Sequence, residues 1–371
     1  MYAHGQTVIQ MMERLAPKHL AEDWDKVGLQ VGTLQKEVKK VLVTLEVTEA
    51  VVQEAVQEQA DLIIAHHPVI FRPLNHLITD YSQGRKLELL IKHDIAVYAS
   101  HTNLDITEGG MNDWMAEALQ LSGVKPMQEQ DAEKLFKLVV YVPVDHHERV
   151  LQAIFEAGAG WIGNYSHCSF NVEGTGTFLP QEGTDPYIGQ AGKLERVQEI
   201  RIETIVPDSV RKAVVQAMLK AHPYEEVAYD LYELIARGKP RGLGRVGTLA
   251  EPVTLEAFAN QVKEALRVSH VRVVGPLDRM VRKVAVLGGS GSKYVRDAIR
   301  SGADVYVSGD IDYHTAQDAL ADGICIIDPG HHVEVLMREK VARYLQQQLA
   351  EAGYATEAIA SDVPTDPFTH L

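Results

Sequence analysis

The segment LIIAHHP, residues 62–68, indicates how this chain folds. Its first four residues form a short apolar run that is typical of a buried strand, and two histidines and a proline follow at once. An earlier buried strand is predicted at 39–45, and a helix entered through Thr48 is predicted at 48–59. A strand, a helix and a strand joined by short links predict a parallel sheet, in which ligands bind at the carboxyl ends of the strands.

A similar pattern returns near the C-terminus. Residues 40–61 align without a gap with residues 283–304, and seven of the 22 pairs are identical. The match favours an internal duplication, although generic strand–helix–strand patterning would also produce much of it. In this alignment Gly309 and Asp310 take the positions of His66 and His67, again at a predicted strand end.

The pattern changes between these outer thirds. The predicted order there is β-α-β-β-α-β, which is typical of a ferredoxin-like α+β module. We therefore predict an α/β protein whose two related halves, 1–126 and 246–371, form one discontinuous domain with a mostly parallel sheet. Residues 127–245 are predicted to be an inserted ferredoxin-like domain.

The composition excludes several functional classes. Apolar residues make up 46% and charged residues 23%, as in ordinary globular proteins. The net charge of −15 argues against a general binder of nucleic acid or anionic membranes. The chain has no apolar run of the roughly 20 residues that span a bilayer, and its N-terminus lacks signal-peptide features. Two cysteines cannot build a disulfide framework or a thiolate zinc site, so we expect a cytoplasmic protein.

Histidines and carboxylates cluster after the predicted strands of the outer halves. Imidazole and carboxylate together suit a borderline divalent ion such as Zn, Mn, Fe, Co or Ni better than calcium. Any single histidine could be an ordinary surface or core residue, but clusters at successive strand ends favour a metal site. The four clusters are His66-His67, His101 to Asp105, Asp310 to His314, and His331 with Glu334.

The spacing within two clusters bears on the number of ions. Adjacent His66 and His67 could be splayed toward two ions, or one could bind an ion and the other support it. If a helix opens after Gly330, the i, i+3 spacing puts His331 and Glu334 on one face. Two ions would then be bridged by a carboxylate or a water, roughly 3.5–4 Å apart.

Other polar motifs receive simpler interpretations. We read His146-His147 as exposed, with Asp145 and Glu148 forming a helix capping box, and His222 as a helix C-cap. The loop of Gly288, Gly289, Ser290 and Gly291 lies between a strand and a helix, where backbone amides could hold a phosphate. A tight turn is the alternative for that loop.

The motifs together resemble one known family. In order along the chain they are EDWDKVGLQVG at 22–32, AHHP at 65–68, HTNLD at 101–105, GGSG at 288–291, GDIDYH at 309–314 and GH at 330–331. They look like the NIF-three-like family, whose members are also called GTP cyclohydrolase 1 type 2 homologues. The stretches DPYIG at 185–189 and HPYE at 222–225 are similar to the PII/CutA-like insertion of the longer bacterial members.

The resemblance implies a dinuclear centre of two divalent transition-metal ions per chain, with zinc as the first expectation and Fe, Mn, Co or Ni as alternatives. Short members place the glutamate four residues after the last histidine, whereas here Glu334 is three residues after His331 and His332 intervenes. The ligand could therefore be His331 or His332, and we favour His331, which follows the glycine. The resemblance also implies a toroidal homohexamer. The implied ligands are His66, His67, Asp105, His331 and Glu334, with His101 and His314 as acid–base or cavity-lining groups.

The leading functional hypothesis is a metal-dependent hydrolase of a nucleotide-like small molecule. In cyclohydrolase chemistry a water activated by the metal would attack C8 of guanine, while His101 or His314 would shuttle protons. The Gly288–Gly291 loop or Lys293 would hold phosphates. A phosphoesterase would need the same ligands. The alternatives from other classes are a non-enzymatic metal-binding or metal-trafficking assembly and a regulatory interaction scaffold.

Overall fold

The computed structural model describes residues 1–369, and the chain divides into two compact units. The first unit combines Met1–Gln130 with the chain from Arg241 onward, and the second is Asp131–Pro240. These boundaries lie a few residues from the predicted ones, which follow residues 126 and 245.

The helices and strands alternate along most of the chain. The helices are α1 Gly5–Leu15, α2 Glu49–Gln57, α3 Ser82–Lys92, α4 Thr102–Ile106, α5 Met111–Ala118, α6 His147–Glu156, α7 Arg211–Ala221, α8 Leu255–Leu266, α9 Val295–Arg300, α10 Tyr313–Asp322 and α11 Met337–Glu351. Short 3-10 turns occur at Lys18–Leu20, Val144–His146, Asp208–Val210, Ser292–Tyr294 and His331–Leu336. The strands are β1 Ala3–His4, β2 Gly28–Val31, β3 Glu37–Val38, β4 Lys40–Thr44, β5 Leu62–Ala65, β6 Ala96–Ala99, β7 Ser122–Pro143, β8 Ser169–Phe178, β9 Glu195–Pro207, β10 Tyr229–Thr254, β11 Arg272–Val274, β12 Met280–Ser290, β13 Val305–Gly309, β14 Cys325–Asp328 and β15 Glu357–Ala360.

The first sheet of the discontinuous unit has the order β15-β4-β5-β6-β2. Strands β15, β4, β5 and β6 are parallel, and β2 is antiparallel to β6. Side chains alternate between two apolar layers: Val41 and Ile64 pack with α1 and α11, whereas Leu42 and Ile63 pack with α2 and α3. Burial on both faces explains why β5 is continuously apolar rather than alternating.

The second sheet of this unit has the order β11-β14-β13-β12-β10. Strands β12, β13 and β14 are parallel, and the flanking strands β11 and β10 run antiparallel to their neighbours. Val286 and Val307 pack with α5 and α8, while Ala285 and Tyr306 pack with α9 and α10. The mixed α/β class is therefore confirmed. The structure differs from the expectation in having two mixed sheets, because antiparallel strands border each parallel core.

The two outer halves are interlocked rather than merely adjacent. Strand β15 comes from the last part of the described chain, yet it pairs in parallel with β4 of the N-terminal half. Helix α11 precedes β15, and Val341 and Leu345 of that helix lie in the same apolar core as α1. The N-terminal sheet is therefore completed only by the C-terminal residues.

The repeat seen in the sequence has a structural counterpart. Asp61 accepts hydrogen bonds from the backbone N–H groups of Lys39 and Lys40 at 2.6 and 3.2 Å. In the second half, Asp304 accepts from the N–H groups of Arg282 and Lys283 at 2.9 and 2.8 Å. In both halves, an aspartate directly before one strand thus bonds to the backbone at or near the preceding strand, before β5 in the first half and before β13 in the second.

The central unit has the element order β7-α6-β8-β9-α7-β10. Strand β9 pairs antiparallel with both β7 and β8. Helices α6 and α7 cover one face of this sheet, where Val150 and Met218 pack on Leu138 and Ile202. The β-α-β-β-α-β order predicted for this region is present.

Two details of helix capping test the sequence rules. Thr48 caps α2 by accepting a hydrogen bond from the Val51 N–H at 3.2 Å, as predicted. The predicted capping box of Asp145 and Glu148 is wrong, because Asp145 lies inside the 3-10 turn and α6 begins after His146 without a side-chain cap. Within residues 1–369, no helix is both long and apolar enough to cross a membrane.

Candidate metal centre

Parallel strands of both sheets end at one cluster of side chains. Strand β5 ends at Ala65 and is followed by His66 and His67, and β6 leads through His101 into α4, which carries Asp105. From the second sheet, β14 leads into the 3-10 turn His331–Leu336, which carries Glu334. The carboxyl ends of parallel strands meet here, as expected for such sheets.

The Glu334 carboxylate lies between two groups of side chains, His66 with Asp105 and His67 with His331. Its Oε1 atom is 3.7 Å from Nε2 of His66, which is 3.5 Å from Oδ1 of Asp105. Its Oε2 atom is 3.1 Å from Nε2 of His67 and 3.3 Å from Nε2 of His331. One carboxylate therefore presents one oxygen to each group. His66 and His67 are splayed, as one sequence hypothesis held, and both face Glu334.

Every imidazole of the cluster is oriented by a hydrogen bond at its Nδ1 atom. In a neutral imidazole, an Nδ1–H group that donates to a fixed acceptor leaves Nε2 unprotonated and aimed at the cluster, which is the usual arrangement of metal-binding histidines. Four such contacts occur: His66 to the Ser100 carbonyl at 2.9 Å, His67 to Glu46, His101 to Asp25 at 3.0 Å and His331 to Asp310 at 2.7 Å.

Two atoms of the cluster are buried without a hydrogen-bond partner. They are Nε2 of His66 and Oδ1 of Asp105, and both belong to residues less than 9% exposed. Buried polar atoms nearly always have partners, so this pair is explained by a ligand that both atoms would contact. The side chains could hold metal ions in three overlapping groups, each with ligand atoms within 4.8 Å: His66-Asp105-Glu334, His67-His331-Glu334 and His66-His67-His101.

The electrostatics show what a cation would replace. Burial lowers the pKa of His67, but Glu334 and Glu46 more than compensate and raise it to about 10. Contact with Glu334 likewise raises the pKa of His331 to about 9, against a smaller effect of burial. Burial opposes ionisation of Glu334, yet His331, His66 and His67 hold its pKa well below the usual range. Protons therefore balance the buried carboxylate, and a divalent cation would take their place.

Two further sequence expectations concern histidines outside the pair of groups. His332 is turned away from the cluster, and its Nε2 lies 3.0 Å from Oγ1 of Thr365. The geometry therefore agrees with the preference for His331. His314 is exposed on α10, its ring lies 5.5 Å from that of Tyr313, and it does not line the cavity described below. The structure thus brings His101, but not His314, to the cluster.

The predicted Gly288–Gly291 loop is largely strand, because Gly288, Gly289 and Ser290 are the last residues of β12. This Gly288–Gly291 segment adjoins the cluster directly. The Gly288 N–H donates to Oδ1 of Asn112 at 2.9 Å, and the Gly291 N–H donates to the Gly309 carbonyl at 2.9 Å. Gly289 has a φ of +65°, and a Cβ atom there would lie 2.7 Å from Oε1 of Glu334. The glycines therefore make room for the Glu334 carboxylate, and two of the segment's amides already have internal partners.

Three carboxylates that orient the histidines were missed or only half recognised from the sequence. Glu46 and Asp25 received no role, and Asp310 was noted without its partner His331. Asp25 is buried, and its Oδ2 accepts from His101 and from both the N–H and the hydroxyl of Thr102. The available signal was that Asp25 lies in the DWD stretch and that Glu46 follows a buried strand, but acidic residues are common in loops.

A large cavity opens in front of the cluster. Its volume is about 1570 Å³, which exceeds the several hundred Å³ of a typical small-molecule pocket. Its lining includes His67, His101, Asp105, His331 and Glu334, together with parts of the Glu22–Trp24 loop, the Gly288–Ser290 end of β12, Lys293 and Thr365–Thr369. Metal-ligating side chains and room for an organic molecule are therefore found in one place.

The fold and the cluster define an α/β protein with a histidine–carboxylate centre that could bind metal ions. The chain belongs to the Duf34/NIF3 (NGG1p interacting factor 3) family, whose model matches residues 3–367. The family resemblance read from the motifs is thereby confirmed.

Relatives match over their whole length. A protein of Halalkalibacterium halodurans, named GTP cyclohydrolase 1 type 2 homolog, is 54% identical over 100% of this chain and 99% of its own. A Bacillus subtilis protein with the same name is 51% identical over 99% of both chains. Among solved structures, a Bacillus cereus protein related to NIF3 has a TM-score of 0.94 and 51% identity over 100% of both chains. Staphylococcus aureus protein SA1388 has a TM-score of 0.74 and 31% identity over 100% of this chain and 99% of its own.

Proposed function

We propose that this protein is a hydrolase of nucleotide-like small molecules that works with two divalent transition-metal ions. The observation that carries the proposal is the position of Glu334, whose two carboxylate oxygens face two separate groups of ligand atoms. His66 and Asp105 would complete one site, and His67 and His331 the other. Zinc is the first candidate for both, because imidazole and carboxylate are among its common ligands.

The names of the relatives point to the same chemistry. Two ions bound side by side would activate a water and polarise the group it attacks. His101 reaches the cluster edge with its Nδ1–H held by Asp25, so its Nε2 is available to take up or deliver a proton. Three protein ligands for each ion leave coordination positions for a substrate, which a closed structural site would not.

A turnover screen tests the proposal. The zinc-loaded protein is incubated with a panel of purine nucleotides and phosphoesters, beside the variants His101→Ala and His314→Ala. We expect hydrolysis of at least one compound, a loss of about 10²–10⁴-fold in His101→Ala because general acid–base catalysis is removed, and a rate within twofold of the parent in His314→Ala. A protein that holds two ions and turns over none of the panel would instead support metal storage or trafficking.

We also propose that the central unit is a ferredoxin-like module inserted into the metal-binding unit. Its element order and its four-stranded order β10-β7-β9-β8 support this assignment. Deletion of residues 131–240 with a short linker tests whether the flanking segments fold without the central unit.

A further inference from the structure

The cavity contains an exposed aromatic pair that the metal chemistry does not use. Trp24 is 54% exposed and Phe71 is 57% exposed, and both line the cavity beside His101. Their ring centroids are 6.2 Å apart, and the indole is 6.0 Å from the His101 ring. In both contacts the two ring planes are steeply inclined to each other. Within residues 1–369, therefore, no aromatic ring stacks flat on the indole.

The backbone around Trp24 is fixed although its side chain is exposed. On one side, the Glu22 N–H donates to Oγ1 of Thr102 at 3.0 Å. On the other side, the buried Asp25 carboxylate accepts from His101 and Thr102. A large apolar ring is normally buried, and here a rigid loop holds it at the wall of a cavity. A preorganised ring in this position suits the stacking of another flat ring.

The same cavity carries a cationic side chain that is not neutralised. Lys293 lines it and forms no ion pair within the described residues, whereas Arg272 pairs with Asp328 and Arg267 with Glu339 at 3.7 Å. Lys293 follows the Gly288–Gly291 segment, which adjoins Glu334. An aromatic surface, a free cation and the metal centre therefore border one space.

We propose that Trp24, assisted by Phe71, is the subsite for a planar heteroaromatic ring, and that the ligand also carries an anionic group facing Lys293. This deepens the proposed function and rests on it, because it names the substrate class of the same cavity. A ring stacked on the indole would lie beside His101, the group placed to move a proton. Stacking does not depend on which base is bound, so the subsite selects flat rings rather than one particular base.

The test compares two ligands that differ only in the ring. Binding of guanosine monophosphate and of ribose 5-phosphate to the full-length, zinc-loaded protein is measured by isothermal titration calorimetry. We expect the nucleotide to bind about tenfold or more tightly than the sugar phosphate, since stacking of one base on an aromatic side chain contributes about that much. Equal affinities, or no binding of either ligand at millimolar concentration, would overturn the proposal.

Variants identify the ring responsible. Trp24→Ala should abolish the preference for the nucleotide, and Trp24→Phe should keep most of it. If Trp24→Ala does not fold, Trp24→Leu takes its place and should also lose the preference. Trp161→Ala is the matched control, because Trp161 is equally exposed but lies in the central unit. A preference for the nucleotide that survives in Trp24→Ala refutes the subsite. A change in the molecular mass of Trp24→Ala in solution, relative to the parent protein, also refutes it, because it would show that a second copy of the chain covers the indole.

The readout separates this inference from the proposed function because it requires no turnover. A ring preference that depends on Trp24, without hydrolysis of any nucleotide, supports the subsite and contradicts the hydrolase. Hydrolysis of a compound without a ring, with no ring preference in binding, contradicts the subsite and supports a metal-dependent hydrolase whose substrates are not nucleotide-like. The zinc content of each variant, which should stay at two ions per chain, checks that the metal centre is intact.

Discussion

Replacement of Glu334 by glutamine is the most direct test of the centre. Glutamine keeps the size of the side chain but removes the charge and leaves only one oxygen. Because Glu334 faces His66 through one oxygen and His67 and His331 through the other, the substitution weakens both proposed sites at once. Loss of supporting residues around a metal typically weakens binding by about 10- to 100-fold, so loss of a shared ligand should cost at least about 100-fold at each site.

This loss can be converted into a change in stability. At a free zinc concentration of about 100 times Kd, each ion stabilises the folded protein by about 2.7 kcal/mol. A 100-fold weaker site contributes only about 0.4 kcal/mol at the same concentration, so two sites lose about 5 kcal/mol together. At roughly 2–4 °C per kcal/mol for a domain of this size, zinc should raise the Tm of the parent by about 10–20 °C more than that of Glu334→Gln.

The assay is thermal unfolding with zinc and with a chelator, together with metal analysis of each protein. Glu339→Gln is a matched control, because Glu339 lies a few residues further on and its exposed side chain faces Arg267. The control should bind two ions per chain and gain as much from zinc as the parent. If Glu334→Gln also keeps two ions and the full zinc-dependent rise in Tm, the idea of a carboxylate shared by two sites is wrong.

Three further predictions follow from the geometry. The raised pKa values of His67 and His331 mean that both are protonated near pH 7 without metal. Zinc binding should therefore release protons and become tighter as the pH rises toward about 9. Calorimetry in buffers of different ionisation enthalpy measures this proton release, and a binding enthalpy that does not depend on the buffer would contradict it. Asp25→Ala should lower the free energy of unfolding, measured in urea, by about 2–3 kcal/mol, because buried donors lose their acceptor. The control Asp23→Ala, at an exposed residue nearby, should change this free energy little, and equal effects of the two variants would contradict the prediction. Deletion of residues 131–240 should leave a folded protein with two ions per chain, measured by circular dichroism and metal analysis; a product that stays insoluble with several linkers would refute it.

Much of the site could be predicted because it depends on strand ends. Short apolar runs mark β5 and β14, and the polar residues directly after them must lie at the sheet edge. This places His66 beside His67 and His331 beside Glu334 at strand ends, whereas the meeting of the two pairs depends on how the two sheets of the unit pack. The i, i+3 spacing of His331 and Glu334 was sufficient to put both on one face, although the turn is 3-10 rather than α-helical.

The remaining features depend on contacts that local sequence does not encode. His314 follows a strand as His67 does, but α10 begins at Tyr313 and carries the imidazole into solvent. Asp25 is one of three acidic residues within positions 22–25, and its role appears only when His101, 76 residues away, is packed against it. The pairing of β15 with β4 joins opposite ends of the chain, and no periodic pattern specifies such a partner.

The interlocking of the two halves has a consequence for biosynthesis. Until β15 has been translated, β4 is an open edge strand, and such edges readily pair with other chains. Glu334 is made 267 residues after His67, so a nascent polypeptide on the ribosome carries the first histidines long before their carboxylate partner exists. Products of stalled translation would lack both the sealing strand and the shared glutamate, and we expect them to depend on chaperones or to be degraded.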